Sequence, residues 1–214
     1  MHHSQNAETR SAPSLEEERG LLASARDGDA EAYVRLIKRY EQRIYRLALS
    51  VVGDHHDAED VLQEVCLKAF THLQGFRGDS SFFTWIARIA MNECYMRLRR
   101  RKTTASISLD EPIEGEDGSV LPIDVEDWRE SPEKDFLKSE LQELIARCLE
   151  KLDRTSRTVF MLRDIEQFTT EETAKLTGLT ETNVKTRLHR ARMKMREHLN
   201  GYFKRGESSC AAKN

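Results

Sequence analysis

Between Phe76 and Lys102 the chain reads FRGDSSFFTWIARIAMNECYMRLRRRK, a run in which aromatic rings give way to a block of cations along one helical pattern. Rings stack on unpaired bases while Arg and Lys follow phosphates, so the chemistry these residue types suit is binding of single-stranded nucleic acid. Asn92 stands out among Ala, Met and aromatic neighbours. An unpaired buried amide is costly, which leaves Asn92 either hydrogen-bonded internally or reserved for a base. Trp85, Ile86 and Ile89 fit a core equally well, and for Trp85 and Ile89 core is the favoured reading.

A second phrase, Thr169 to Met195, carries TTEETAKLTGLTETNVKTRLHRARMKM. On a helix advancing 100° per residue, Val184, Leu188, Ala191 and Met195 share one side, and Thr182, Asn183, Thr186, His189 and Arg190 lie across from them. Short polar side chains and Arg can bond base edges in a major groove, while Lys194 and Arg196 further along suit phosphates. A solvated basic face on a core helix is the plainer alternative.

A third phrase, Asp57-Ala58-Glu59-Asp60-Val61-Leu62-Gln63-Glu64, sets carboxylates and an amide opposite an apolar stripe. Paired carboxylates invite an acid/base or metal role, yet no His or Cys is spaced to complete such a site, and solvent alone satisfies them. His55 and His56 are adjacent, point to different sides and make a poor metal pair; they read as a turn.

These phrases need elements to carry them. The chain has 214 residues, 33% charged and 38% hydrophobic, enough for two small domains. Its net charge of −3 is a cancellation rather than neutrality. Residues 110–135 hold eleven carboxylates against Arg129 and Lys134, while Arg97, Arg99, Arg100, Arg101 and Lys102 form one basic cluster, and Lys185 to Arg205 form another. Four scattered cysteines, without a Cys-x-x-Cys pair, argue against zinc and against a disulfide scaffold. With no secretory leader or long apolar run, a cytoplasmic protein is expected.

Residues 1–17 read as a disordered lead. Apolar positions from Tyr33 to Val51 predict one helix ended by Gly53, those from Ala58 to Leu73 a second closed by Gly75, and Ser81–Arg101 a third. Together they make an expected domain over 18–102. Residues 103–135, acidic and rich in Pro and Gly, read as a flexible linker. Periodicity resumes from Leu137 to Leu152, a short helix is expected over 154–164, and Thr169 with Glu172 forms a capping-box pattern before a helix broken at Gly178. A final helix from Val184 completes a helix-turn-helix domain over 136–203, followed by a frayed tail, 204–214. The fold class expected is all-α, two small helical domains joined by an acidic linker.

The three phrases together resemble one family, the extracytoplasmic-function sigma factors of the sigma-70 class. Phe76-Arg77-Gly78, Phe83-Thr84-Trp85, Ile89-Ala90 and Asn92 resemble its promoter-melting segment; Val184 to Arg192 resembles its recognition helix; Asp57 to Glu64 resembles the segment that docks on the clamp coiled coil of polymerase. The resemblance implies a minus-10 set of Phe76, Arg77, Phe82, Phe83, Trp85, Arg88, Asn92, Arg97, Arg99 and Arg100. It also implies a minus-35 set of Thr182, Asn183, Lys185, Thr186, Arg187, His189 and Arg190, and a core-polymerase set of Asp57, Asp60, Gln63 and Glu64. Core RNA polymerase, promoter DNA and an anti-sigma factor are the implied partners, with no cofactor, metal or catalysis. A stand-alone helix-turn-helix regulator explains only residues 169–196, and a nucleic-acid-processing enzyme lacks a visible nucleophile or phosphate loop.

Overall fold

The computed structural model describes residues 15–107 and 144–211, with side chains over 16–101 and 144–200. All regular structure among the described residues is helical. Helix α1, Leu15–Arg26, opens on Glu16, Glu17 and Glu18, whose charge suits the positive end of a helix. It starts inside the stretch expected to be a disordered lead.

The periodic run from Tyr33 to Val51, expected as a single helix, is two: α2, Ala30–Lys38, and α3, Glu41–Val52. At the joint Tyr40 N–H donates to Ile37 O at 2.8 Å, a tightened last turn that no Gly or Pro announces. The bend carries the Tyr40 ring into the core, 5.6 Å from Phe83 and stacked on it. There its hydroxyl donates to Glu18 Oε2 at 2.6 Å. Burial, with that carboxylate beside it, holds the phenol protonated well above its ordinary range.

Helix α3 ends at Gly53, whose φ of 75° is the left-handed conformation a helix terminus needs. Asp54 then caps α4, His55–His72, accepting from Asp57 N–H at 3.0 Å. The adjacent histidines, expected as a turn, are therefore the first two residues of α4; the cap one position earlier starts the helix at once. Ser81 Oγ accepts from Thr84 N–H at 3.0 Å and opens α5, Phe82–Ile107. That helix runs into the stretch expected to be linker. Helices α2 to α5 close over Leu36, Ile44, Leu47, Val61, Val65, Phe82 and Ile86, each at most 2% exposed. Side chains of this size contribute about 1.5–3 kcal/mol apiece when fully buried.

The second unit contains α6, 144–150, α7, Arg154–Phe160, a π turn over Met161–Ile165, α8, Thr170–Thr177, and α9, Glu181–Ala211. Its backbone stays helical to Ala211, through most of the expected tail. Leu137 and Leu141, part of the apolar run that was expected to precede Leu144, fall outside the described residues. Two small cores hold the unit together: Leu144, Leu149, Leu152 and Met161 against Ala191 and Met195, and Val159 against Val184 and Leu188. Arg157 braces them from inside. Only 5% exposed, it donates to the carbonyls of Leu149, Glu150 and Leu152 at the end of α6 and in its following turn, where Leu149 O also accepts from Leu152 N–H at 3.1 Å.

Candidate nucleic-acid interface

The helix-turn-helix forms as the spacing predicts. Thr169 Oγ1 accepts from Glu172 N–H at 3.1 Å and the Glu172 carboxylate accepts from Thr169 N–H at 2.8 Å, so the capping box is complete in both directions. Gly178, at φ 71°, turns the chain between α8 and α9. Val184, Leu188, Ala191 and Met195 are buried. That orientation leaves Thr182, Asn183, Lys185, Thr186, His189 and Arg190 exposed at the start of α9.

Arg187, grouped with them by sequence, differs. It is half-buried and its guanidinium lies 3.5 Å from Asp153, the cap of α7, so it ties the recognition helix to the body of its own domain. Asp153 is itself pulled below the usual carboxylate range: burial works against the charge, but bonds from the Ser156 hydroxyl and N–H, with Arg187 and Lys194 nearby, outweigh it. A second clamp lies further along, where Arg192 grips Asp164 bidentately at 2.8 and 2.6 Å.

In the first domain the aromatic phrase divides. Phe76, Phe82 and Phe83 are buried at 5%, 2% and 6% exposure, packed on one another, on Tyr40 and on half-buried Trp85. The resemblance puts them in the minus-10 set, but as placed here they offer no stacking surface. Their apolar area is spent in the core, as the competing reading had it for Trp85 and Ile89, both partly buried against that core. Arg77, Arg88 and Asn92 are exposed, as are Arg99 and Arg100. Asn92, Tyr95, Leu98 and Arg99 line a groove of about 710 Å³ whose opposite wall includes Arg154 of the second unit.

The acidic phrase on α4 meets the basic run on α5. Arg97 Nε is 3.0 Å from Asp57 Oδ1 and its Nη2 is 2.6 Å from Asp60 Oδ2, while Arg101 pairs with Asp57 and reaches Asp54 at 3.9 Å. Asp54 is held below the usual carboxylate range, first by the Asp57 N–H it caps and, against some burial, by Arg101. Gln63 and Glu64 point outward and border a cleft with Leu67, Lys68, Met96 and Arg100. Leu67 and Phe70 are large apolar side chains left 64% and 51% exposed on the same helix, an apolar margin that the acidic pattern did not reveal.

Residues 36–104 match the family described as sigma-70 region 2, and residues 142–195 match sigma-70 region 4. The RNA polymerase sigma-H factor of Pseudomonas aeruginosa is 32% identical over 179 residues, covering 83% of this chain and 91% of that protein. The chain belongs to the extracytoplasmic-function sigma factors of the sigma-70 family. A second relative, the sigma factor SigW of Bacillus subtilis, is 29% identical over 178 residues, covering 83% of this chain and 94% of that one. The sigma factor RpoE of Bartonella quintana, solved in complex with the anti-sigma factor NepR, shares the fold at a TM-score of 0.60 and 22% identity, covering 80% of this chain and 98% of that one. This sigma factor is thus an alternative initiation factor that directs promoter-specific transcription. Among the described residues no helix of this sigma factor is long and apolar enough to cross a membrane.

No sequence signal marked Arg43, Glu166 or Phe168. They meet across the two units, where Arg43 Nε donates to Glu166 Oε2 at 2.7 Å over a separation of 123 residues. A pairing that distant leaves no local periodicity to read.

Proposed function

We propose that the two units of this sigma factor divide the promoter between them while a face of α4 docks on core RNA polymerase. The single observation that carries this reading is the exposure of Thr182, Asn183, Lys185, Thr186, His189 and Arg190 on one side of a helix whose other side is buried. That geometry supports insertion of the start of α9 into the major groove of the minus-35 element. Arg77, Arg88 and Asn92, with Arg99 and Arg100, form the face proposed for the displaced minus-10 strand; Asn92 takes a base and the arginines take phosphates. Asp60, Gln63 and Glu64, edged by Leu67 and Phe70, form the polymerase-docking face, an acidic rim with apolar contacts that suits a basic helical partner.

The domain limits proposed are 18–102 and 136–203, with residues between them linking the two. The protein acts in the cytoplasm, carries no catalysis of its own, and is restrained by an anti-sigma factor as its Bartonella neighbour is bound by one. The test is reconstitution with core polymerase. Wild-type protein should direct transcription from its promoter, and Asp60→Ala/Gln63→Ala/Glu64→Ala should lose core binding with helical content intact. Specific, tight promoter binding by the free protein, with no gain on adding core polymerase, would overturn the reading.

A further inference from the structure

Helix α9 rests on its own unit along a narrow seam. Val184, Leu188, Ala191 and Met195 are buried there, and at 100° per residue the four span about 60°, less than the stripe of about 100° that usually seats a surface helix. Ala191, in the middle of the seam, presents only a methyl group. Such a seam fixes where the helix lies but resists its rolling poorly, and a roll of a few tens of degrees changes which side chains face outward.

Two arginines flank the seam. Arg187 falls about 60° to one side of Val184 and Arg192 about 80° to the other. Each reaches a carboxylate of the preceding segment: Asp153, which caps α7, and Asp164, within the π turn Met161–Ile165. The contacts are unequal. Arg187 Nη1 lies 3.5 Å from Asp153 Oδ1, longer than an ordinary hydrogen bond, whereas Arg192 offers Nε and Nη2 to both oxygens of Asp164 at 2.8 and 2.6 Å. A fork on a fork constrains direction as well as distance.

The turn that carries Asp164 is held from several sides. Glu166 N–H returns to Met161 O at 2.8 Å and makes the wide π turn, Gln167 donates from its side chain to the Asp164 carbonyl at 2.8 Å, and Phe168 N–H returns to Leu162 O at 2.9 Å. Gln167 sits at φ 61°, a conformation that the surrounding bonds must hold for a non-glycine residue. Energy alone does not account for this mount. The Arg192 and Asp164 side chains are 56% and 21% exposed, and ion pairs so open to solvent add little to stability. What the bidentate pair contributes is orientation.

We propose that Asp164 is a positioning residue for minus-35 recognition: through Arg192 it fixes the roll of α9, and with it the set of side chains presented to the bases. This role rests on the proposed assignment of α9 to the minus-35 duplex. Arg192 stands two positions after Arg190 and three after His189, so the fork sits beside the side chains proposed to read bases. Without it α9 keeps its apolar seat but loses the hold on its roll, and the Arg192 cation is released beside the duplex. Two quantities that a plain loss of stability would lower together then separate. Discrimination falls, while affinity for unrelated DNA does not.

The test uses holoenzyme reconstituted from core polymerase and each full-length variant, with a preferred minus-35 duplex selected from random sequence by the wild type. Affinity is measured for that promoter fragment, for fragments with one substituted minus-35 base pair, and for a scrambled minus-35 element. Asp164→Asn should shrink the cognate-to-substituted ratio by about fivefold, the low end of what one well-read base pair is worth, and leave scrambled affinity no weaker than wild type. Arg192→Gln breaks the same fork from its exposed end, should shrink the ratio alike, and decides the matter if Asp164→Asn does not fold. An unchanged ratio in folded variants overturns the positioning role, as do cognate and scrambled affinities that fall in step for Asp164→Asn. A ratio that falls in only one of two folded variants overturns it as well, because the effect must pass through the pair. Arg190→Ala separates this idea from its parent: an unchanged ratio there sinks the minus-35 assignment itself, whereas a lowered ratio beside an inert Asp164→Asn sinks the positioning role alone.

Discussion

Arg97 on α5 grips Asp60 on α4 at 2.6 Å while its Nε holds Asp57 at 3.0 Å, so a cation proposed for promoter phosphates is engaged by carboxylates proposed for polymerase docking. The two functions share a seam. On the proposed assignments, a basic partner that draws Asp60 toward itself would loosen its hold on Arg97.

The seam should be measurable without polymerase. Arg97 is 31% and Asp60 54% exposed at the side chain, so solvent screens the pair, and a double-mutant cycle of Arg97→Ala with Asp60→Ala should give a coupling of about 0.2–1 kcal/mol in thermal unfolding. The cycle with Asp57→Ala should give more, because that carboxylate is 14% exposed and also pairs with Arg101. Equal couplings, or none, would mean that the seam is a surface accident.

Arg157 should matter more than any surface cation in the second domain. It donates to three carbonyls from within, and Arg157→Met would remove all three bonds, leaving Leu149 O only its turn bond from Leu152 N–H; hydrogen bonds to charged groups are worth roughly 1.5–3 kcal/mol each, with the sum reduced by relaxation. An urea-unfolding loss of about 3 kcal/mol or more in the second domain is expected, against well under 1 kcal/mol for Lys185→Met on the exposed face. Burial lowers the Arg157 pKa, but an arginine stays charged through neutral pH, so the loss should be the same at pH 6 and pH 8.

How much of this could be read in advance depends on the range of each interaction. The capping box at Thr169 and Glu172, the turn at Gly178 and the buried stripe from Val184 to Met195 are local and periodic, and they were legible. The break at Arg39–Tyr40 was not, because no residue type forbids the helix there; Tyr40 bends the chain to reach Phe83 and Glu18, contacts 43 and 22 positions away in sequence. The same limit hid which aromatics are spent in the core. Composition marks Phe76, Phe82 and Phe83 as able to stack, but only packing decides that they stack on Tyr40, Trp85 and Phe168 rather than on bases.

Acid should loosen the helix starts that Asp54 and Asp153 cap. Both carboxyls are depressed in the folded state, Asp54 mainly by the Asp57 N–H it accepts and Asp153 by Ser156 and Arg187 against opposing burial. A depressed carboxyl contributes its full stabilisation above its unfolded value, near pH 4, and loses it as pH falls through the folded value below that. Unfolding followed from pH 6 to pH 3 should therefore show a shallower acid decline in Asp54→Asn and Asp153→Asn, which keep a capping oxygen but cannot titrate. Parallel declines in the variants and wild type would assign the acid sensitivity elsewhere.

On the recognition helix, exposure separates side chains that can reach base edges from one already committed to the fold. Arg190 is exposed on the face proposed to enter the groove, so Arg190→Ala should cost about 1–3 kcal/mol on the preferred minus-35 sequence and little on scrambled duplex. Lys194, also exposed and one turn further on, should weaken both alike when replaced by Ala and flatten the salt dependence by about one phosphate's worth. Arg187 should behave as neither. Its guanidinium lies 3.5 Å from Asp153 and its Nε is buried without a partner, so Arg187→Ala should lower the stability of the second domain and leave base preference unchanged. The measurement is affinity for cognate and scrambled duplexes across a salt series, using polymerase reconstituted with each variant, beside urea unfolding of the free proteins. If Arg187→Ala relaxes base preference while stability holds, the Asp153 contact yields to DNA in the complex, and Arg187 belongs with the base-reading residues after all.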